Sequence, residues 1–194
     1  MAPEFNNNEQ HLLVQNFLAK KIEDDGYEWD YKKSKIMDAT IYANTEVSVG
    51  ATFSMLDGET NGVVGITNLN GNKLNKGRPI VLCGIGLGFA VGAGEQKPHA
   101  LDFEYSKTHH DLKFANLIIK QSNEILFKEP ISSIMNNLKD GSKYSELGSF
   151  VLLVDETDID IEIEYPKTLK STLTGTDKLY VSFMAKAKEV YLKR

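Results

Sequence analysis

Residues 79–94 read PIVLCGIGLGFAVGAG, the richest glycine stretch in a chain of 194 residues. Val81, Cys83, Ile85, Leu87, Phe89 and Val91 form an odd-numbered apolar row, while Gly84, Gly86, Gly88 and Gly92 hold even positions. Side chains alternate between faces along a strand, so this stretch predicts a β-strand with one apolar face and one face of glycines. Neither phosphate-binding reading fits. A dinucleotide fingerprint needs glycines at i, i+2 and i+5, yet Phe89 and Val91 stand where Gly84 and Gly86 would need the third one, and no Gly-Lys-Ser/Thr follows for a P-loop. Glycine weakens a strand interior. Its use along one face therefore predicts a close-packed wall, pressed either by another part of the fold or by a neighbouring subunit.

Working outward, the chain is dominated by period-two patterns. Towards the N-terminus Ile41, Val47, Val49, Phe53 and Met55 share one parity, a half-buried strand with a break expected at Gly50. GVVGIT, residues 62–67, reads as a short strand, and Asn70-Gly71 in NLNGNKL as a type I′ hairpin turn between two extended pieces. Beyond the glycines, LKFANLIIKQSNEILFKEPI predicts two strands joined at Gln121-Ser122-Asn123. ISSIMNNLKDGSKYSEL reads as a short helix and a loop closed by Asp140-Gly141. SFVLLVDETDIDIEIEYP gives two strands around Asp155 to Thr157, the second with Ile159, Ile161, Ile163 and Tyr165 inward and Asp158, Asp160, Glu162 and Glu164 outward. The last strand alternates through Leu179, Val181, Phe183 and Ala185.

One segment has helical spacing: Leu12, Leu13, Phe17, Leu18 and Ile22, with Asn8 as the expected N-cap. Its apolar face packs either on its own domain or on a neighbouring subunit. About eight strands, turn signals between them and one clear helix predict an all-β fold, an antiparallel sandwich of jelly-roll topology with an N-terminal amphipathic helix. Residues 1–25 form the arm and helix and residues 26–194 a single sandwich domain, with no repeat and no dividing linker.

Composition narrows the function. A chain of this length buries about 70% of its unfolded surface and needs no staples; the single cysteine, Cys83, permits neither an intramolecular disulfide nor a cysteine-based zinc site. The formal charge of −5 argues against a broad nucleic-acid-binding surface. The longest uncharged run, 79–94, is shorter than the roughly 20 apolar residues of a spanning helix. MAPEFNNNEQ has neither the basic start nor the apolar core of a secretory signal.

Candidate chemistry is sparse. The acidic row Asp158, Asp160, Glu162, Glu164 suggests calcium, but same-face residues stand about 6.6–6.8 Å apart along a strand, too far for neighbours to chelate one ion unaided. A solvated or interface face is the expectation, with Lys178, Lys186 and Lys188 as partners across strands or across a subunit boundary. His109, His110 and Asp111, with His99 nearby, are the one cluster that could supply nitrogen ligands, but adjacent residues on an extended chain point in opposite directions, so the His109-His110 pair supplies one ligand at most. No GxSxG occurs, and Cys83 lies on an apolar strand face. No catalytic residue, cofactor or metal is expected.

The order of these elements resembles the jelly-roll virion proteins of tailless viruses and bacteriophages. The resemblance rests on ATIYANTEVSVGATF, ITNLNGNKL, PIVLCGIGLGFAVG, LIIKQSNEILF, DIDIEIEYP and KLYVSFMAKAKEV, in that sequence. It spans most of the chain and consists of strand pattern alone, without a diagnostic motif. It implies a self-assembling capsid or virion component whose partners are copies of itself and other virion proteins. The contacts between copies are expected at Leu13, Phe17, Gly84, Gly86, Gly88, Asp160 and Glu162. The alternative is a carbohydrate- or ligand-binding sandwich, for which Tyr27, Trp29 and Tyr31 offer an aromatic platform at strand spacing. Particle formation separates the two from sugar binding by a monomer.

Overall fold

The structure, a computed structural model, describes residues 3–27, 29–30, 33–93, 96–137 and 142–191. Tyr31, Gly94 and the expected Asp140-Gly141 turn lie outside them. The elements run α1 (Pro3–Asp25), β1 (Lys35–Val47), β2 (Phe53–Ser54), β3 (Ile80–Ala93), β4 (Asn116–Gln121), β5 (Glu124–Pro130), α2 (Ile131–Asn137), β6 (Ser145–Leu153), β7 (Ile159–Glu164) and β8 (Asp177–Tyr191).

Four antiparallel pairs, β1/β8, β2/β7, β3/β6 and β4/β5, make one long hairpin whose tip is the β4–β5 turn. Rolling that hairpin pairs β3 with β8 and β4 with β7. The result is two four-stranded sheets, ordered β1-β8-β3-β6 and β2-β7-β4-β5. This is a jelly roll. At the tip Ser122 and Asn123 both have positive φ, 51° and 65°, which is what a type I′ turn requires and what matches the right-handed twist of the two strands.

The inner faces meet as alternation predicts. Ile159, Ile161 and Ile163 of β7 pack against Leu179, Val181, Phe183 and Ala185 of β8, with Ile41, Ala43 and Val47 of β1 and Leu117 and Ile119 of β4 completing the core. Three expectations need correction. β1 starts at Lys35 and ends at Val47; Val49 and Gly50, where φ is +93°, form a turn before the two-residue β2. GVVGIT is a turn pinned by isolated bridges, not a strand. Asn70-Gly71 is not a type I′ hairpin either, since only Gly71 has positive φ and no strand flanks it.

The apolar row of β3 is also not continuous. A β-bulge at Cys83 shifts its pairing with β8 from Leu82↔Ala187 to Gly84↔Lys186, and an extra residue in one strand reverses the parity beyond it. Ile80 and Leu82 face the main core before the bulge, Ile85 and Leu87 after it. Val81 and Cys83 turn to the opposite, outer face of the sheet, where a second apolar cluster forms. Among the described residues no helix is long and apolar enough to cross a membrane.

Candidate functional site

The outer face of the β1-β8-β3-β6 sheet is the distinctive surface, because a helix covers one part of it and glycines flatten the next. α1 begins at Pro3, upstream of the expected Asn8 cap, and proline suits a first helical turn. It seats Val14 and Leu18, both fully buried, on Val81, Cys83, Leu152 and Val190. Burying two such side chains stabilises the contact by about 1.5–3 kcal/mol each. Phe17 meets Phe150 edge to face, centroids 5.6 Å apart. Phe17 is therefore part of the subunit's own fold, while Leu12 and Leu13 remain 59% and 52% exposed. The polar contact shown by the helix, Lys21 to Asp25 at 3.1 Å, is internal. Beneath α1, burial pushes the Cys83 thiol up to about 11, which keeps it protonated and unreactive at neutral pH.

Past the bulge the glycine wall begins, and the chain itself presses on it. A Cβ at Gly86 would stand 2.5 Å from the Lys143 carbonyl oxygen, and one at Gly84 3.3 Å from that of Ser145. Over Gly88 lies the Tyr105 ring, 2.6 Å from such a Cβ, its hydroxyl hydrogen-bonded to Ser182 Oγ at 3.1 Å. Of the two neighbours expected, the structure supplies the one within the fold: Gly84, Gly86 and Gly88 are buried inside the single chain.

Charges pair within each sheet. Glu162 meets Lys120 at 2.6 Å and Glu164 meets Lys128 at 2.8 Å, while Asp158, just before β7, meets Lys73 of the β2–β3 connection at 3.2 Å. Asp160 makes no ion pair with any described residue. The lysines of β8 do not reach this row, which belongs to the other sheet. Lys178 pairs with Glu46 at 2.9 Å, Lys186 with Glu146 at 3.0 Å, and the buried Lys188 with Asp38.

The histidine cluster turns out to be a loop clasp. Asp111 is fully buried and accepts from Ser171 Oγ at 2.9 Å, from Thr172 Oγ1 at 2.7 Å and from the Thr172 N–H at 3.0 Å. Burial alone would raise its carboxyl; the Thr172 and Ser171 donors outweigh that and hold it below the usual carboxylate range. His109 Nδ1 accepts the Asp111 N–H at 3.2 Å, and burial holds that imidazole below its ordinary value, which favours the neutral ring. Its ring packs on Phe89, centroids 5.2 Å apart. These groups are spent on one another, and among the described residues no three His, Cys, Asp or Glu side chains gather as a metal site.

A groove of about 420 Å³ separates the end of α1 from the β4–β5 turn, lined by Phe17, Lys21, Tyr27, Glu124 and Phe150 among others. Gln121 in its wall is committed, exchanging two hydrogen bonds with the Val154 backbone at 2.7 and 2.8 Å. Tyr27 and Trp29 do not sit side by side as a platform: they stack face to face, centroids 4.3 Å apart and 4° from parallel. Sequence reading missed Val14, Tyr105 and the Asp111 clasp. The Ser171-Thr172 pair was the only signal for the clasp, and its distance in sequence from Asp111 hid it. In comparison with known proteins, no family model matches this chain and no curated protein matches it.

Proposed function

We propose that this chain is a non-enzymatic structural subunit that assembles with copies of itself, a capsid or virion component built on a jelly roll. The observation that carries the reading is the strand order β1-β8-β3-β6 over β2-β7-β4-β5, joined to the resemblance in strand pattern to jelly-roll virion proteins. A fold hosts many functions, so surface chemistry matters too. The polar groups that invite a catalytic reading are consumed in structure: Asp111 by a loop clasp and Glu162 by Lys120. Leu12 and Leu13 lie exposed side by side in sequence on α1, apolar area of the kind that contacts between copies use. The Tyr27–Trp29 stack weighs against the sugar-binding alternative, because each ring covers one face of the other.

The test is light scattering and negative-stain imaging of the purified chain, with glycan-array binding alongside. Large regular particles support assembly. A monomer that retains sugars supports the alternative and overturns the proposal.

A further inference from the structure

Two Asn-Gly pairs, Asn61-Gly62 and Asn70-Gly71, lie in the connection between β2 and β3. Asparagine is a thermolabile residue, and before glycine its amide is most vulnerable, because no Cβ shields the following backbone nitrogen. That nitrogen attacks the asparagine Cγ and gives up its proton; the side-chain nitrogen leaves as ammonia and a succinimide closes. Water then opens the ring at either carbonyl, leaving aspartate or isoaspartate.

In this fold both attacking nitrogens are engaged. The Gly62 N–H donates to Asn70 Oδ1 at 2.8 Å, and the Gly71 N–H donates to the Thr60 carbonyl at 2.5 Å. The Asn61 amide is held as well, its Nδ2 donating to the Glu59 carbonyl at 3.0 Å. Asn70 and Gly62 touch so closely that a Cβ on Gly62 would stand 2.7 Å from Asn70 Oδ1. We propose that Asn61 is a deamidation site kept silent by Asn70, whose side-chain carbonyl holds the Gly62 nitrogen away from the Asn61 amide. Local opening of the loop starts the reaction, and the new carboxylate then lies beside Val63 and Val64, the latter 93% exposed at the loop tip. This inference stands on chemistry within the loop and is independent of the proposed assembly.

The experiment incubates the full chain at mildly alkaline pH and follows Asn61 by peptide mass spectrometry, in buffer and in urea, for the native sequence, Asn70→Ala and Asn70→Asp. The folded native chain should lose the Asn61 amide about tenfold more slowly than the unfolded one, since the reaction waits for local opening. Asn70→Ala should remove most of that protection while circular dichroism remains native. Asn70→Asp, which keeps an acceptor oxygen, should retain it. Equal rates for native and Asn70→Ala would overturn the proposal. Should Asn70→Ala not fold, equal Asn61 rates in the folded and unfolded native chain would overturn it as well.

Discussion

The Tyr105 ring occupies the one place on β3 where a side chain at position 88 would have to stand, 2.6 Å from an ideal Cβ, and anchors there through Ser182. Gly88 is thus fixed by a contact inside the subunit. The same holds for Gly86 beneath the Lys143 carbonyl, where backbone rather than a rotatable side chain must yield.

Gly86→Val should therefore destabilise the isolated subunit, by the 1–3 kcal/mol typical of overpacking or more, despite valine's better strand propensity. For a chain of this size that is a fall in thermal midpoint of roughly 2–12 °C. Thermal unfolding followed by circular dichroism checks it. A mutant of unchanged midpoint would place the glycine wall against open solvent.

Leu18→Ala should cost about 2–5 kcal/mol, the range for buried leucine, and should loosen α1 from its seat. Cys83 reports the loosening directly, because it is buried under that helix with its thiol pushed up to about 11. Thiol labelling should be slow in the native chain and much faster in Leu18→Ala under native conditions. Equal labelling would mean that α1 does not shield Cys83. Deleting residues 1–23 should have the same effect in stronger form, exposing Val81, Leu152 and Val190 together.

Asp111 sets an acid limit. Its folded-state carboxyl is held below the ordinary range, so the clasp contributes stability that is fully present above the unfolded value of about 3.9 and is lost as pH falls through the folded value. Asp111→Ala should remove this contribution together with the hydrogen bonds from the exposed Ser171 and Thr172, each worth about 0.5–1.5 kcal/mol net. Denaturant titrations from pH 7 to pH 2 should show the native chain losing its advantage over the mutant in the acid range. A constant difference across that range would contradict the assignment.

Glu162→Gln, by contrast, should change subunit stability by no more than about 1 kcal/mol, the usual ceiling for a pair near the surface. Its effect belongs to chemical denaturation in low and high salt, where the two proteins should converge as salt rises. A loss several times larger would make the Lys120–Glu162 pair a structural element of the sheet.

Most of the fold was legible because strand periodicity survives wherever one face is buried. Ile159, Ile161 and Ile163, or Leu179 through Ala185, report their facing without any knowledge of partners. The reading failed where geometry depends on a second segment. The bulge at Cys83 reverses the parity of β3, yet leaves an apolar pattern unchanged because a helix covers the outer face there and makes Val81 as buried as Leu82. Ser122-Asn123 forms the primed turn and Asn70-Gly71 does not, since flanking strands decide the turn as much as its residues do. The surface was less legible still: Leu13 and Phe17 share a helix pattern, yet Phe17 packs against Phe150 and the outer apolar cluster while Leu13 stays exposed.

The central claim, assembly with copies of itself, is tested most directly by the mass of the purified chain in solution, measured by sedimentation velocity over a broad concentration series beside the double variant Leu12→Asp, Leu13→Asp. The native chain should sediment as discrete, larger species, and the variant, with the native circular dichroism and thermal midpoint, should remain a monomer. A native chain that is monomeric at every concentration would contradict the claim.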